Sequence, residues 1–253
     1  MNFATQAVWA IGLVGAAFAL SSWQKLGLEG SLILAAGRAV IQLAVVGYVL
    51  AVIFAPPLSP ILILFVLGVL VMISAIVTRN RISQKLPLPG IVGSLLITTL
   101  VTVAYVQLIV VQPQVWYEPR FLIALGAIVL SQAMNAAAIS GERLFNTLKS
   151  NSLEIETRLS LGATPAQAIE SYRKDSIRAG VLPVINAMSI VGLATIPEIV
   201  SGQLLGGAEP IQAIAFQIVI LFMVLFATLL VTLLVTSGIW RKFFNAQAQL
   251  IRW

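Results

Sequence analysis

The sequence predicts an all-α fold, a polytopic membrane protein of seven transmembrane helices with the N-terminus outside and the C-terminus cytoplasmic, and three observations carry this. Of 253 residues, 59% are hydrophobic and only 9% charged, against about a quarter charged in a soluble domain. The apolar residues gather into segments close to the roughly 20 residues that a helix needs to cross the hydrocarbon. The basic residues fall almost entirely on one side of those segments.

Taken in order, the apolar segments lie at about 4 to 21, 38 to 54, 61 to 77, 91 to 111, 121 to 139, 181 to 200 and 213 to 236. The first contains Ala17-Phe18-Ala19, which resembles a signal-peptidase site, but no positive charge precedes it and Lys25 follows, so it is read as a span. Pro56-Pro57-Leu58-Ser59-Pro60 is an uncharged tight link that makes a hairpin of spans two and three. Tyr48, Trp116, Tyr117, Trp240 and Trp253 sit where aromatic-belt anchors belong.

With the N-terminus outside, 14 of the 15 basic residues lie inside, leaving that face at +8 and the outer face at −2. Lys and Arg accumulate on the cytoplasmic side of short loops, so this asymmetry sets the orientation. It also accounts for the net charge of +6 without nucleic acid, since no basic face interleaved with aromatics is present. Cysteine and histidine are absent, which removes disulfides, thiolate or imidazole metal sites and Ser/His or Cys nucleophiles. No P-loop pattern occurs, so the chain does not hold ATP by that route.

Residues 140 to 180 form one hydrophilic loop with 11 of the 24 charged residues. The spacing predicts two short helices there. Glu154 and Arg158 pair at i,i+4 in a helix that stops at Gly162. Thr164-Pro165-Ala166-Gln167 opens a second as a capping box with Pro at the first position, and this helix, with its Glu170 to Lys174 pair, runs to about Gly180. At the corner, Glu156-Thr157-Arg158-Leu159-Ser160-Leu161-Gly162-Ala163 resembles the E-A-A-x-x-x-G loop of ATP-binding-cassette importer permeases, whose short coupling helix docks on a cytoplasmic ATPase. Glu156 and Gly162 match; Thr157 and Arg158 replace the alanines, and Leu182-Pro183 comes later than the Leu-Pro of that pattern.

A wider resemblance covers nearly the whole chain. Arg38 to Leu43 with Gly47 to Leu50, Asn135 with Ser140 to Leu144, Glu156 to Thr164, and Ser201 to Gly207 with Pro210 and Gln217 are similar to the FetB-type (YbbM-like) permeases, bacterial iron-export components with plant aluminium-tolerance relatives. The resemblance implies a bacterial inner-membrane permease domain spanning 1–253. It also implies a homodimer in lipid that exports metal ions, with ATP and Mg bound by a separate ATPase subunit and no cofactor or catalysis in this chain. Glu156, Arg158, Leu161, Gly162, Ala163 and Thr164 then become the ATPase-coupling residues. Where that family continues Pro-Gly-Met-Met, this chain has Pro197-Glu198-Ile199-Val200, which replaces a methionine pair by a carboxylate.

Polar side chains within spans are costly unless they face the bundle interior, one another or a pathway. Arg38 and Gln42 share one face, with snorkelling or path contact as the two readings; Ser131, Gln132 and Asn135 make a stripe beside Met134, either path or interhelical glue. Pro183 and Asn186 punctuate span six, which also carries Met188. Glu198 near the outer mouth is either a solvated carboxylate or a cation contact. Oxygens of Glu198, Asn135, Gln132, Asn186 and Gln203, with Met134 or Met188 sulfur, would suit Fe²⁺ or Mn²⁺, Glu198 and Asn135 being the foremost metal candidates. The competing classes are a gradient-driven secondary transporter, for which no ionisable group lies deep in the spans, and an assembly subunit without transport.

Overall fold

The computed structural model describes residues 3–55, 59–83, 87–245 and 249; Pro56-Pro57-Leu58, Lys85, Arg252 and Trp253 lie outside them. The chain forms two compact units, residues 1–59 and 60–253. In the first, α1 (Phe3–Trp23) and α2 (Glu29–Ile53) make an αα-hairpin. Their turn uses left-handed backbone at Lys25 and Gly27, and the Ser21 hydroxyl donates to Glu29 Oε1 at 2.9 Å. Glu29 stands in the first turn of α2, where the helix dipole favours a carboxylate. The helix therefore starts nine residues before the predicted span, and Arg38 sits within it.

In the second unit α3 (Pro60–Arg81), α4 (Leu88–Tyr105, continued by a π-helical turn Val106–Val111), α8 (Glu170–Ile190) and α10 (Pro210–Trp240) all pack on α5 (Pro119–Ser150), with the short helices α6 (Ser152–Ser160), α7 (Pro165–Ala168) and α9 (Glu198–Leu205) at the ends. Among the described residues, five helices are long and apolar enough to cross a membrane: α2, α3, α4 with its π turn, α5 and α10. Of the other two predicted spans, α1 contributes the shorter apolar stretch Ile11–Trp23, and α8 begins on charged residues.

Two predicted boundaries need correction. The loop at 140 is still helix: α5 continues to Ser150 because Leu144, Phe145 and Leu148 prolong its apolar stripe into the core. The segment 181 to 200 is not a separate span, nor does the preceding helix end at Gly180. One helix, α8, runs from Glu170 through Gly180 and Pro183 to Ile190, and the chain then breaks at Val191-Gly192, where Gly192 is left-handed. Gly180 serves there as a close approach. A Cβ on it would lie 2.7 Å from Thr232 Cγ2 and 2.9 Å from the Ala136 carbonyl, so α8 meets α10 and α5 where only hydrogen fits. Small residues at helix crossings allow such approach, and on α5 the series Ala133, Ala137, Gly141 is buried at every fourth position.

Candidate functional site

At the end of the bundle where α5 runs out, α6 turns back through a glycine corner. Ala163 N–H donates to the Arg158 carbonyl at 3.1 Å and Gly162 N–H to that of Leu159 at 3.0 Å, with Gly162 at φ +92°. This is the Schellman arrangement, which needs a left-handed residue at the position Gly162 occupies. Thr164 then caps α7 reciprocally with Gln167, as the spacing predicted. Ile155, fully buried beside Leu144 and Leu148, anchors the inner side of α6. Leu161, at the corner, is 83% exposed and Leu153 76%.

A polar latch closes the corner onto α8. Arg158 Nη2 lies 2.6 Å from Glu154 Oε1, its Nη1 donates to the Ala168 carbonyl at 3.0 Å, and its guanidinium stands 5.3 Å from the Tyr172 ring centre. The Tyr172 hydroxyl completes the ring of contacts by donating to Glu154 Oε2 at 2.6 Å. This hydrogen bond, followed by the charge of Arg158, holds the Glu154 carboxyl below its ordinary value. Burial, then Glu154, pushes the Tyr172 hydroxyl up. A depressed carboxylate stabilises the fold above its unfolded pKa and loses that contribution as pH falls through the folded value; a raised tyrosine contributes below about 10 and loses it as pH rises further. Hydrogen exchange over residues 152–164 is therefore expected to keep constant protection from about pH 6 to 9 and to lose it only as pH falls below the ordinary glutamate range, and Tyr172→Phe should move that loss to higher pH.

The remaining polar contacts tie helices together at the same end. Arg81 on α3 donates to Asn135 Oδ1 at 2.6 Å, and Glu142 accepts the Ser83 N–H at 2.6 Å, the Ser83 hydroxyl, and Asn146 Nδ2 at 2.9 Å. Arg173 on α8 reaches Ser237 Oγ at 2.6 Å and Thr236 Oγ1 at 3.4 Å on α10.

The structure unites only part of the predicted set. Arg158, Leu161, Gly162, Ala163 and Thr164 share the corner, with Glu156 half-buried on α6. Arg38 and Gln42 are exposed on α2 in the other unit. On α5, Gln132 is exposed and Met134 half-buried; on α8, Asn186 is exposed and Met188 packs against a buried cluster that includes Leu125, Val129, Val184 and Met223. Gln203 lines a cleft with Arg120, Phe121 and Phe216, with Glu198 exposed at the start of the same helix. Asn135 lies 15 residues beyond Arg120 on α5, about 22 Å along the axis at 1.5 Å per residue. A single ion therefore does not reach both Asn135 and the α9 residues, and Asn135 already accepts from Arg81. Among the described residues, no three acidic side chains gather as a metal cage. Tyr172, Arg173, Arg81 and Glu142 were missed because their partners lie far away in sequence.

A bundle of long apolar helices, joined by polar ties at one end and carrying a latched helical corner there, defines a polytopic α-helical membrane protein. The chain belongs to the family described as "Uncharacterised protein family (UPF0014)", which it matches over residues 4–244. It is 44% identical over 247 residues to the UPF0014 membrane protein slr1647 of Synechocystis sp., covering 96% of this chain and 94% of that protein. It is 31% identical to the probable iron export permease protein FetB of Escherichia coli, covering 96% and 92%, and 32% identical to the protein ALUMINUM SENSITIVE 3 of Arabidopsis thaliana, covering 95% and 87%. No solved structure matches the chain.

Proposed function

We propose that this chain is the permease subunit of an exporter driven by a separate cytoplasmic ATP-binding-cassette ATPase, and that its cargo is a metal cation, with iron the first candidate. The observation that carries the reading is the corner itself. A short helix bears Leu153 and Leu161 to solvent while Ile155 and the Arg158 latch hold it to α8, a long helix packed on both α5 and α10. An exposed apolar knob on a well-anchored helix suits docking into a partner groove. Movement of the corner would be passed into the bundle by α8. The resemblance of Glu156 to Gly162 to importer coupling loops and the name of the Escherichia coli relative support the same assignment.

In this reading both units form one domain of seven spans, α1 and α8 included, with the N-terminus outside, and two copies assemble in a bacterial inner membrane. ATP and Mg²⁺ belong to the partner. Glu198, Gln203, Asn186 and Met188 line the outer part of the path, and Gln132, Met134 and Asn135 its inner part.

The test is co-purification of the tagged chain, from its own cells, with an ATP-binding-cassette ATPase. The native chain is expected to retain the ATPase, and Leu161→Asp or Gly162→Arg to release it while the permease stays folded. Retention by both variants, with transport intact, would overturn the proposal. At constant Mg-ATP, stimulation of the reconstituted pair's ATPase by Fe²⁺ above its basal rate is the expected cargo signature; stimulation by another solute alone would remove iron.

A further inference from the structure

Beside the latched corner, and sharing Gln167 with its capping box, a cleft of about 390 Å³ opens between α8 and α10. Its rim is polar and basic, with Gln167, Glu170, Arg173 and Lys174, while Ile177, Leu233 and Trp240 make the floor and side. Arg173, Lys174 and Ile177 lie within one turn on one side of α8, and Leu233 and Trp240 stand seven residues apart on α10, again one face. The cleft therefore runs from a charged mouth down onto a half-exposed apolar wall of a helix long enough to cross the membrane.

The state of the cations points to the ligand. Arg173 is half-buried and no carboxylate forms an ion pair with it among the described residues. Its two contacts on α10 are hydroxyls already committed as acceptors: the Ser237 hydroxyl gives its proton to the Leu233 carbonyl at 2.6 Å and the Thr236 hydroxyl to that of Thr232 at 2.7 Å. A guanidinium carries five N–H donors, so most of its donors are left over after these two bonds, in a fixed orientation. Lys174 pairs with Glu170 at 2.6 Å, but both side chains are about 60% exposed, and such surface pairs are weak enough to yield to a better anion. Arg241 stacks 5.9 Å from the Trp240 ring, which adds a third cation beside the mouth. A partly buried cation without a counter-charge, above an apolar floor and next to an interfacial tryptophan, matches an amphiphile with an anionic head.

We propose that this cleft binds the phosphate of an anionic phospholipid, Arg173 and Lys174 holding the phosphate oxygens and Ile177 and Leu233 seating the first methylenes of an acyl chain. The lipid would fasten α8 to α10 directly below the corner and so set how firmly the corner is held. Free phosphate would satisfy the rim but leave the apolar floor uncovered, and this separates the two sources.

The experiment is native mass spectrometry of the full chain in detergent, titrated with phosphatidylglycerol, with phosphatidylcholine of the same acyl chains, and with inorganic phosphate. One phosphatidylglycerol per chain is expected to be retained in preference to phosphatidylcholine. Lys174→Gln should weaken retention about fivefold, the worth of one basic residue near an anionic lipid, and Lys174→Glu should weaken it further. Leu233→Ser should weaken retention with the charges untouched, while Arg173→Lys, which keeps the charge, should weaken it less than Arg173→Gln. Equal retention of the two lipids, indifference to both Lys174 changes, or inorganic phosphate displacing the lipid at equal concentration would overturn the proposal. None of these readouts depends on ATPase docking or on the cargo.

Discussion

Gly180→Leu is expected to yield no folded protein, and Gly180→Ala to lower the unfolding temperature measurably. The reason is the crossing of α8 over α5 and α10. A methyl group at position 180 would meet Thr232 Cγ2 at 2.7 Å, the Ala136 carbonyl at 2.9 Å and Ser140 Cβ at 3.1 Å. Thr232 and Ser140 are fully buried, and a backbone carbonyl inside a helix does not turn aside. Replacing glycine by alanine in a helix favours folding by about 1 kcal/mol, whereas overpacking of this kind costs about 1–3 kcal/mol and more for a larger side chain. The clash wins. Two controls fix the interpretation. Gly93→Ala on α4 places its methyl in open space and should be neutral or slightly stabilising. Gly126→Ala meets only the end of Leu67, a side chain free to rotate, and should cost less than Gly180→Ala. Thermal unfolding in detergent, followed by fluorescence-detected size exclusion, ranks the four; Gly180→Ala as stable as Gly93→Ala would contradict the crossing.

Arg158→Ala is expected to free α6 from α8 while the bundle stays folded. The substitution takes a cation from Glu154, a donor from the Ala168 carbonyl and a stacking partner from Tyr172 in one step. Arg158 is about a third exposed and Glu154 about half, so solvent screens the ion pair and the latch contributes weakly. That is small against global stability but decisive for one short helix. Protection of residues 152–164 against hydrogen exchange should fall by about tenfold, with α5 and α10 unchanged. Arg158→Lys should recover only part, because an ammonium replaces neither the two-sided fork nor the stacking plane. If the corner docks the ATPase as proposed, retention of that partner should decline in the same order across the variants. Unchanged exchange in Arg158→Ala would mean that Ile155 alone holds the helix.

Much of the corner was readable from the residues because its determinants are local. The Glu154 and Arg158 pair, the stop at Gly162, the Thr164 and Gln167 capping box and the Glu170 and Lys174 pair all lie within four residues of one another, where helix geometry fixes the distance in advance. Gly180 and Pro183 misled for the converse reason. Each is a helix breaker on local grounds, yet α8 runs through both, and Gly180 is packed there against α5 and α10, residues far along the chain. The polar candidates scattered for the same reason: a shared ligand set across α5, α8 and α9 depends on how far along its axis each helix meets its neighbours, and spacing in the sequence carries no such information.

By itself the sequence determined that the protein is a helical membrane protein with one charged end and one hydrophilic corner, because hydrophobic length, basic asymmetry and capping chemistry act over a few residues or through simple composition. Only the tertiary structure decided that α8 is a single helix threaded past a glycine, that Tyr172 completes the latch of Arg158, that Asn135 belongs to Arg81 and lies far from Glu198, and that Arg173 reaches α10 above an open apolar cleft. These are contacts between helices distant in sequence, and their geometry is set by which small residues allow the helices to approach.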